Sequence, residues 1–160
     1  MFKKFLLVGL LAGSALITGC AMQPVVPVDA TETISIPGQS QRDIYKKIRQ
    51  WFSQYFVSGK SVVDYENPEA GTIIGNGIAQ IGSTLGVVVN SIHYNIRIDT
   101  KDEKFRVVTK IIKHTNTDSD STYDVSNVTS GRNAAALAHV ATIVADIKKY
   151  VTNTKHDPSW

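Results

Sequence analysis

The fold is decided by residues 92–111, which read IHYNIRIDTKDEKFRVVTKI. Polar and apolar residues alternate on both sides of a short charged stretch, as in two half-buried β-strands joined by a tight turn. If Lys101 faces Lys104 across a two-residue turn, the residue numbers of every cross-strand pair sum to 205. The apolar positions of the two strands then share one face, which fixes the register. We therefore predict a hairpin with strands over residues 87–99 and 105–113.

One face of the predicted hairpin is buried and the other is exposed to water. The buried face is formed by Ile92, Tyr94, Ile96, Ile98, Val107, Thr109 and Ile111. The exposed face is formed by Ser91, His93, Asn95, Arg97, Asp99, Arg106, Val108, Lys110, Ile112 and His114. In this register Asp99 lies opposite Arg106 and neutralises part of its charge.

Three further strands are predicted before the hairpin. Period-two alternation covers residues 31–36, 61–66 and 72–81, and Pro and Gly residues after the first two indicate turns. The third strand contains Gly75 and Gly77 on one face. Glycines so placed let another backbone, a helix or a ligand come close, and packing is the preferred interpretation.

Two helices are predicted, one between the first and second strands and one after the hairpin. The first follows the N-cap residue Ser40, ends at Gly59 and carries the apolar stripe Ile44, Ile48, Trp51 and Tyr55. The second covers residues 133–151, with the stripe Leu137, Val140, Val144, Ile147 and Val151. The aromatic members of the first stripe, Trp51 included, are interpreted as core residues.

The order of these elements predicts one α+β domain over residues 31–151. Its architecture is a curved antiparallel sheet of about five strands with two helices packed on one face. Residues 115–130 are polar and acidic and are predicted to form a loop, and residues 152–160 a flexible C-terminal tail.

The N-terminus resembles the signal peptide of a bacterial lipoprotein. Lys3 and Lys4 precede an apolar run that ends at Gly19, directly before Cys20, the only cysteine. In this interpretation residues 1–19 are removed and Cys20 carries the lipid. The alternative is an ordinary N-terminal membrane anchor with a free thiol.

Residues 20–30 then form a lipidated, extended spacer between the membrane and the domain. Ala21 follows the cysteine, where an aspartate would favour inner-membrane retention, so the outer membrane facing the periplasm is expected. Removal of the signal peptide leaves 15 basic and 14 acidic residues. This balance gives no reason to expect a nucleic-acid partner.

Three stretches resemble DUF4468, a bacterial domain of unknown function with a TBP-like fold that is often carried on exported proteins and lipoproteins. Residues 44–52 resemble its helix, residues 63–66 and 70–77 its strand pair, and residues 94–99 and 101–106 its hairpin. The resemblance spans about residues 31–150 and implies the TBP-like fold. It implies neither catalytic residues nor DNA binding, because fold does not fix function.

No catalytic residue, cofactor or metal site is predicted. The serines lack a G-x-S-x-G motif, and lipidation uses the only cysteine. Asp118, Asp120 and Asp124 invite a calcium interpretation. However, Tyr123 and Thr129 stand where an EF-hand loop needs glycine and glutamate, so a solvated loop is preferred.

The exposed hairpin face provides the candidate site, an anion-binding surface of Arg97, Arg106, Lys110, His93 and His114. Guanidinium groups bind carboxylate or phosphate through two hydrogen bonds, which suits a wall polymer, a lipid headgroup or an acidic envelope protein. Histidines with a pKa near 6.5 would strengthen this binding as the pH falls. The alternative is an ordinary solvated face with an excess of cations.

The sequence therefore favours a lipid-anchored accessory or binding module of the cell envelope that is not an enzyme. A subunit of a larger envelope assembly is one alternative, which a large apolar surface patch would indicate. A hydrolase acting on a wall or lipid substrate is another, which would need titratable groups that converge in one pocket.

Lipidation at Cys20 predicts that cells fed a clickable palmitate label the wild-type protein but not Cys20→Ser. Fractionation should place the labelled protein in the outer membrane. Label retained by the Cys20→Ser protein would refute lipidation at this residue.

Overall fold

The computed structural model describes residues 29–55, 62–117, 122–124 and 130–153. The predicted signal peptide, Cys20, nearly all of the spacer, Asp118, Asp120 and most of the C-terminal tail lie outside these ranges. The elements are β1 (Asp29–Ser35), α1 (Gln41–Tyr55), β2 (Val62–Asn67), β3 (Thr72–Thr84), β4 (Val88–Lys101), β5 (Lys104–Asn116), β6 (Thr122–Asp124) and α2 (Ser130–Thr152). Neither helix is long and apolar enough to cross a membrane.

The strands form one antiparallel sheet in the order β1-β5-β4-β3-β2, with β6 also paired to β5. Both helices pack on one face of this sheet. Their fully buried side chains include Ile48, Phe52, Ile143 and Ile147, which share the core cluster with Ile96 of β4. The predicted α+β fold is therefore confirmed.

The predicted register of β4 and β5 is confirmed near the turn, where Asp99 pairs with Arg106 and Asn95 with Lys110. Beyond Tyr94 a bulge shifts the register by one residue. A bulge gives one strand an additional residue, so the side chains beyond it change faces relative to the partner strand. Here His93 pairs with Lys113, and Ile92 pairs with His114.

The bulge makes the predicted placement of His114 wrong. His114 is buried against the helices with 3 % exposure, whereas Ile112 is 48 % exposed. The ring nitrogen Nε2 of His114 lies 3.2 Å from Oδ1 of Asn133, a buried residue in the first turn of α2. Burial lowers the pKa of His114, while the Asn133 hydrogen bond opposes that shift. This histidine therefore helps to dock α2 on the sheet.

Three element boundaries also differ from the prediction. Residues 122–124 form β6 instead of loop, because the edge of β5 beyond β1 remains available for pairing. β1 begins at Asp29, inside the predicted spacer. The β3–β4 hairpin is longer than expected, and its turn comprises residues 85–87.

The turn between β4 and β5 is held by the loop between β1 and α1. Glu103 has φ of 60°, a left-handed conformation usually adopted by glycine. Its N–H donates to the Gln39 carbonyl at 2.9 Å, and its carbonyl accepts from the Ile36 N–H at 2.7 Å. Its carboxylate accepts from the Gly38 N–H at 3.1 Å. These three bonds offset the strain of a glutamate at this position.

The first helix is capped as predicted. Ser40 Oγ accepts from the Asp43 N–H at 3.2 Å and donates to the Asp43 carboxylate at 2.7 Å. Asp102, from the β4–β5 turn, accepts from the Gln41 N–H at 2.8 Å. The hairpin turn thus supplies a carboxylate to the positive end of the α1 dipole.

The packing around Gly77 explains why β3 has a glycine at this position. It pairs with Tyr94 of β4, and a Cβ at this position would collide with the phenol ring. The close approach is therefore made by a buried side chain, and the packing interpretation holds for Gly77.

Trp51 is a core residue, as predicted, with 2 % exposure. Its indole stacks on Tyr55 with ring centroids 4.5 Å apart and meets Phe52 edge-on at 5.3 Å. The indole N–H donates to the Asp146 carboxylate at 2.8 Å, which ties α1 to α2.

We predict that Trp51→Ala lowers the free energy of unfolding by about 3–5 kcal/mol, because it removes a buried aromatic ring and leaves a cavity. Tyr65→Ala is the matched control, since Tyr65 is 50 % exposed. Its loss should be below about 1 kcal/mol. Urea unfolding measures both values, and equal losses would contradict the packing described for Trp51.

Candidate functional site

The helices cover one face of the sheet. The other face, here called the open face, is covered by no helix or strand of the described ranges. Its side chains come from alternate positions of the strands and include Tyr65, Ile74, Asn76, Ile78, His93, Asn95, Arg97, Asp99, Arg106, Val108 and Lys110. Four residues of the predicted anion-binding surface lie here, namely Arg97, Arg106, Lys110 and His93. The fifth, His114, lies on the other face in the core.

Asp99 organises the cations at one end of the open face. Its carboxylate accepts from Arg97 Nε at 3.0 and 3.1 Å and from Arg106 at 2.8 Å. Thr72 Oγ1 donates a further bond at 2.9 Å. Burial opposes ionisation of Asp99, but the bonds from Arg97, Arg106 and Thr72 lower its pKa to about 2. Asp99 is therefore a stable anion that neutralises part of both arginines.

Two lysines add to this end of the sheet. Lys101 and Lys104 are exposed, directly opposite each other and next to the β4–β5 turn. A cavity of about 220 Å³ is lined by Thr33, Asp99, Lys101, Lys104, Phe105 and Arg106. Arg97, Asp99, Lys101, Lys104 and Arg106 are called the hairpin-end cluster below. It holds four cations and one carboxylate.

The charges around the turn are segregated. The carboxylates of Asp102 and Glu103 accept from backbone N–H groups of the β1–α1 region. Lys101 and Lys104 instead line the cavity on the open face. Like charges directly opposite each other on a sheet are destabilising, so the Lys101–Lys104 pair does not stabilise the hairpin. An anion bound between them would remove that repulsion.

Sequence reasoning missed Lys101 and Lys104 as candidate residues. The signal was present, because the register begins from this pair and places both lysines on the same face as Asp99 and Arg106. The predicted strands end at residue 99 and begin at residue 105, which assigns both lysines to the turn, and turn residues are usually solvated.

The other end of the predicted surface is less charged than expected. In the row of paired residues across β3, β4 and β5, Asn95 donates to Asn76 at 3.0 Å, and the one cation, Lys110, pairs with Asp29 of β1. Burial and then the Lys113 charge lower the pKa of His93. With His114 in the core, the predicted strengthening of binding at lower pH depends on His93 alone and shifts to a more acidic range.

The open face offers hydrogen-bond donors and positive charge at a shallow surface. Ligands that suit it are carboxylates, phosphates and sulfates, which accept several donors at once. Within the described ranges, no group of three or more His, Cys, Asp or Glu side chains is placed to hold a metal ion.

The family model for DUF4468, a domain of unknown function with a TBP-like fold, matches residues 31–115. This range is more than half of the 160-residue chain. The chain belongs to the DUF4468 family. The matched range runs from β1 to β5 and contains the whole hairpin-end cluster.

Two crystal structures have the same fold as this DUF4468 protein. A TBP-like protein from Parabacteroides distasonis is 18 % identical, with a TM-score of 0.69 over 82 % of this chain and 96 % of that chain. A DUF4468 family protein from Bacteroides ovatus is 17 % identical, with a TM-score of 0.67 over 81 % of this chain and 89 % of that chain. No curated protein matches the sequence. At these identities the likeness shows the fold alone.

The low pKa of Asp99 predicts a specific dependence of stability on pH. A carboxyl whose pKa falls on folding, here from 3.8 to about 2, stabilises the fold above its unfolded pKa. That contribution disappears as the pH falls from about 4 to 2. Asp99→Asn should therefore lower the free energy of unfolding at pH 7 by about 1–2 kcal/mol and weaken the loss of stability between pH 4 and 2. Unfolding curves across this range check both effects, and an unchanged pH profile would contradict the assignment.

Proposed function

We propose that this protein is a lipid-anchored module of the bacterial cell envelope that binds an anionic ligand and catalyses no reaction. In this proposal Cys20 carries the lipid and the domain faces the periplasm from the outer membrane. The observation that carries the binding function is the hairpin-end cluster on the face that the helices leave open.

The charges in the cluster support an anionic ligand. One carboxylate, Asp99, is shared by Arg97 and Arg106, whose side chains remain 48 % and 54 % exposed. Lys101 and Lys104 then add two cations for which the described residues show no carboxylate within ion-pair distance. The site therefore keeps a local excess of positive charge although the mature protein is almost neutral overall.

The arrangement of the cations favours an extended ligand over a single small anion. Lys104, Arg106 and Lys110 lie on the same face of β5 and span about 20 Å at about 3.3 Å per residue. A linear anionic polymer can contact all three at once, and each exposed contact is weak by itself. Wall polymers are thus the preferred ligands. Lipid headgroups and acidic proteins are the other anionic ligands considered.

A second function is supported by apolar side chains on the open face. Tyr65 and Ile78 are 50 % and 38 % exposed, on β2 and β3 respectively. They lie on the side of the sheet away from the cations of β5. Such a surface suits a protein partner, so membership in an envelope assembly is the alternative proposal.

The binding test uses charge removal in two places. Lys101→Gln with Lys104→Gln, and separately Arg97→Gln with Lys110→Gln, should each weaken binding to purified envelope fractions severalfold at low salt. Moderate salt should reduce the difference, because exposed charges are screened within about 10 Å at 0.1 M. Cosedimentation measures the bound fraction.

The matched control is Lys46→Gln with Lys148→Gln. It removes the same number of charges from exposed positions on α1 and α2. Binding by this control should equal that of the wild-type protein. Equal weakening in all three double variants would mean that net charge, and not the open face, determines binding.

A further inference from the structure

The turn between β3 and β4 exposes two apolar side chains almost completely. Leu85 is 94 % exposed and Val87 is 78 % exposed. Leu85 also has φ of 52°, a left-handed conformation in which glycine or asparagine is usual and a bulky side chain is strained. Neither burial nor turn geometry accounts for a leucine here, which points to a contact outside the domain.

Strand β3 and the half of β4 next to this tip have no formal charge. Residues 70–96 contain no Asp, Glu, Lys or Arg. The last strand pair between β4 and β5 joins Asn90 to Asn116, so the tip projects past the end of β5. A projecting hairpin end without charged side chains can enter the interface of a bilayer without the free-energy cost of desolvating a charge.

The tip lies at the end of the sheet from which the chain enters. β1 runs antiparallel to β5, which itself runs toward the tip. The first residue of β1, Asp29, is therefore the β1 residue nearest the tip. Asp29 pairs with Lys110, and Lys110 pairs with Asn95 of β4. The segment that connects Cys20 to the domain therefore meets β1 on the side that faces the tip.

The length of that segment matches the projection of the tip. Along β4, the strand from Asn95 to the turn extends about 25 Å at about 3.3 Å per residue. Asp29 lies nine positions after Cys20 in the sequence. A proline-containing segment of this length spans about 28 Å at about 3.1 Å per residue. An anchor at Cys20 thus allows the tip to reach the same membrane surface.

We propose that Leu85 and Val87 form a second membrane contact, inserted into the interface of the bilayer that holds the lipid anchor. The inference rests on the lipid anchoring proposed above. Two points of attachment fix the orientation of the sheet, with the β4–β5 turn directed away from the membrane. The strand from Val88 to Lys101 then places the hairpin-end cluster between about 30 Å (Arg97) and about 40 Å (Lys101) from the bilayer, beyond the headgroups of that membrane.

The test places one reporter at a time on the lipidated protein in vesicles of phosphatidylethanolamine and phosphatidylglycerol. Cys20 is the only native cysteine and its sulfur is blocked by the lipid, so an introduced cysteine is labelled uniquely. Leu85→Cys and Val87→Cys carry an environment-sensitive dye, and Lys101→Cys at the opposite turn is the control. The dye at 85 and 87 should emit at shorter wavelength, be quenched by spin-labelled lipids and show severalfold less quenching by aqueous iodide than the dye at 101.

Each outcome decides one question. If the protein remains bound to vesicles but the dye at position 85 or 87 is as accessible to iodide as the dye at position 101, the membrane contact is overturned and the anchor is not. A protein that stays in solution, with Cys20 open to thiol reagents, would overturn the anchor and the contact together. Two labelled positions protect the result against a single variant that folds poorly.

Discussion

The pairing of β4 with β5 is the constraint on which the rest of the structure depends. These strands lie inside the sheet, and one face of the pair supplies much of the core while the other supplies the hairpin-end cluster. Their turn also accepts and donates the hydrogen bonds that hold the β1–α1 loop and cap α1. A slip of one residue would exchange the two faces and remove both the core and the cluster.

This dependence explains how much of the fold the sequence could predict. The alternation of residues 94–99, matched by that of residues 104–107, favours one register, and the structure has that register from Tyr94 to Ile111. Ile111 and Ile112 break the alternation, and two adjacent isoleucines do not show which of them faces the core. The bulge decides the question in favour of Ile111, and it brings His114 to Asn133 of α2. The His114–Asn133 hydrogen bond depends on where α2 packs on the sheet, and no local sequence pattern predicts that position.

The same distinction applies to the candidate site. Register alone brought Arg97, Asp99, Arg106 and Lys110 to one face, and this placement is confirmed. The strength of the Asp99 network was not predictable, because Thr72 reaches the carboxylate from β3. Glu103 had no local explanation either, since its conformation is stabilised by Gly38 and Gln39 from a distant loop. Sequence patterns therefore predicted which side chains share a face of the sheet. Tertiary hydrogen bonds determined the ionisation of Asp99 and the backbone conformation at Glu103.

The two proposals place opposite chemistry at opposite ends of the sheet, and their separation has an electrostatic consequence. The Debye length at physiological ionic strength is about 8 Å, so the surface potential of an anionic membrane is negligible about 40 Å away. In the proposed orientation, Lys101 and Lys104 therefore do not contribute to membrane attachment. Their repulsion would then be relieved only by a ligand that approaches from the side away from the bilayer. For a module tethered to the outer membrane, that side faces the cell wall, and this geometry favours a wall polymer over a lipid headgroup as the anionic ligand.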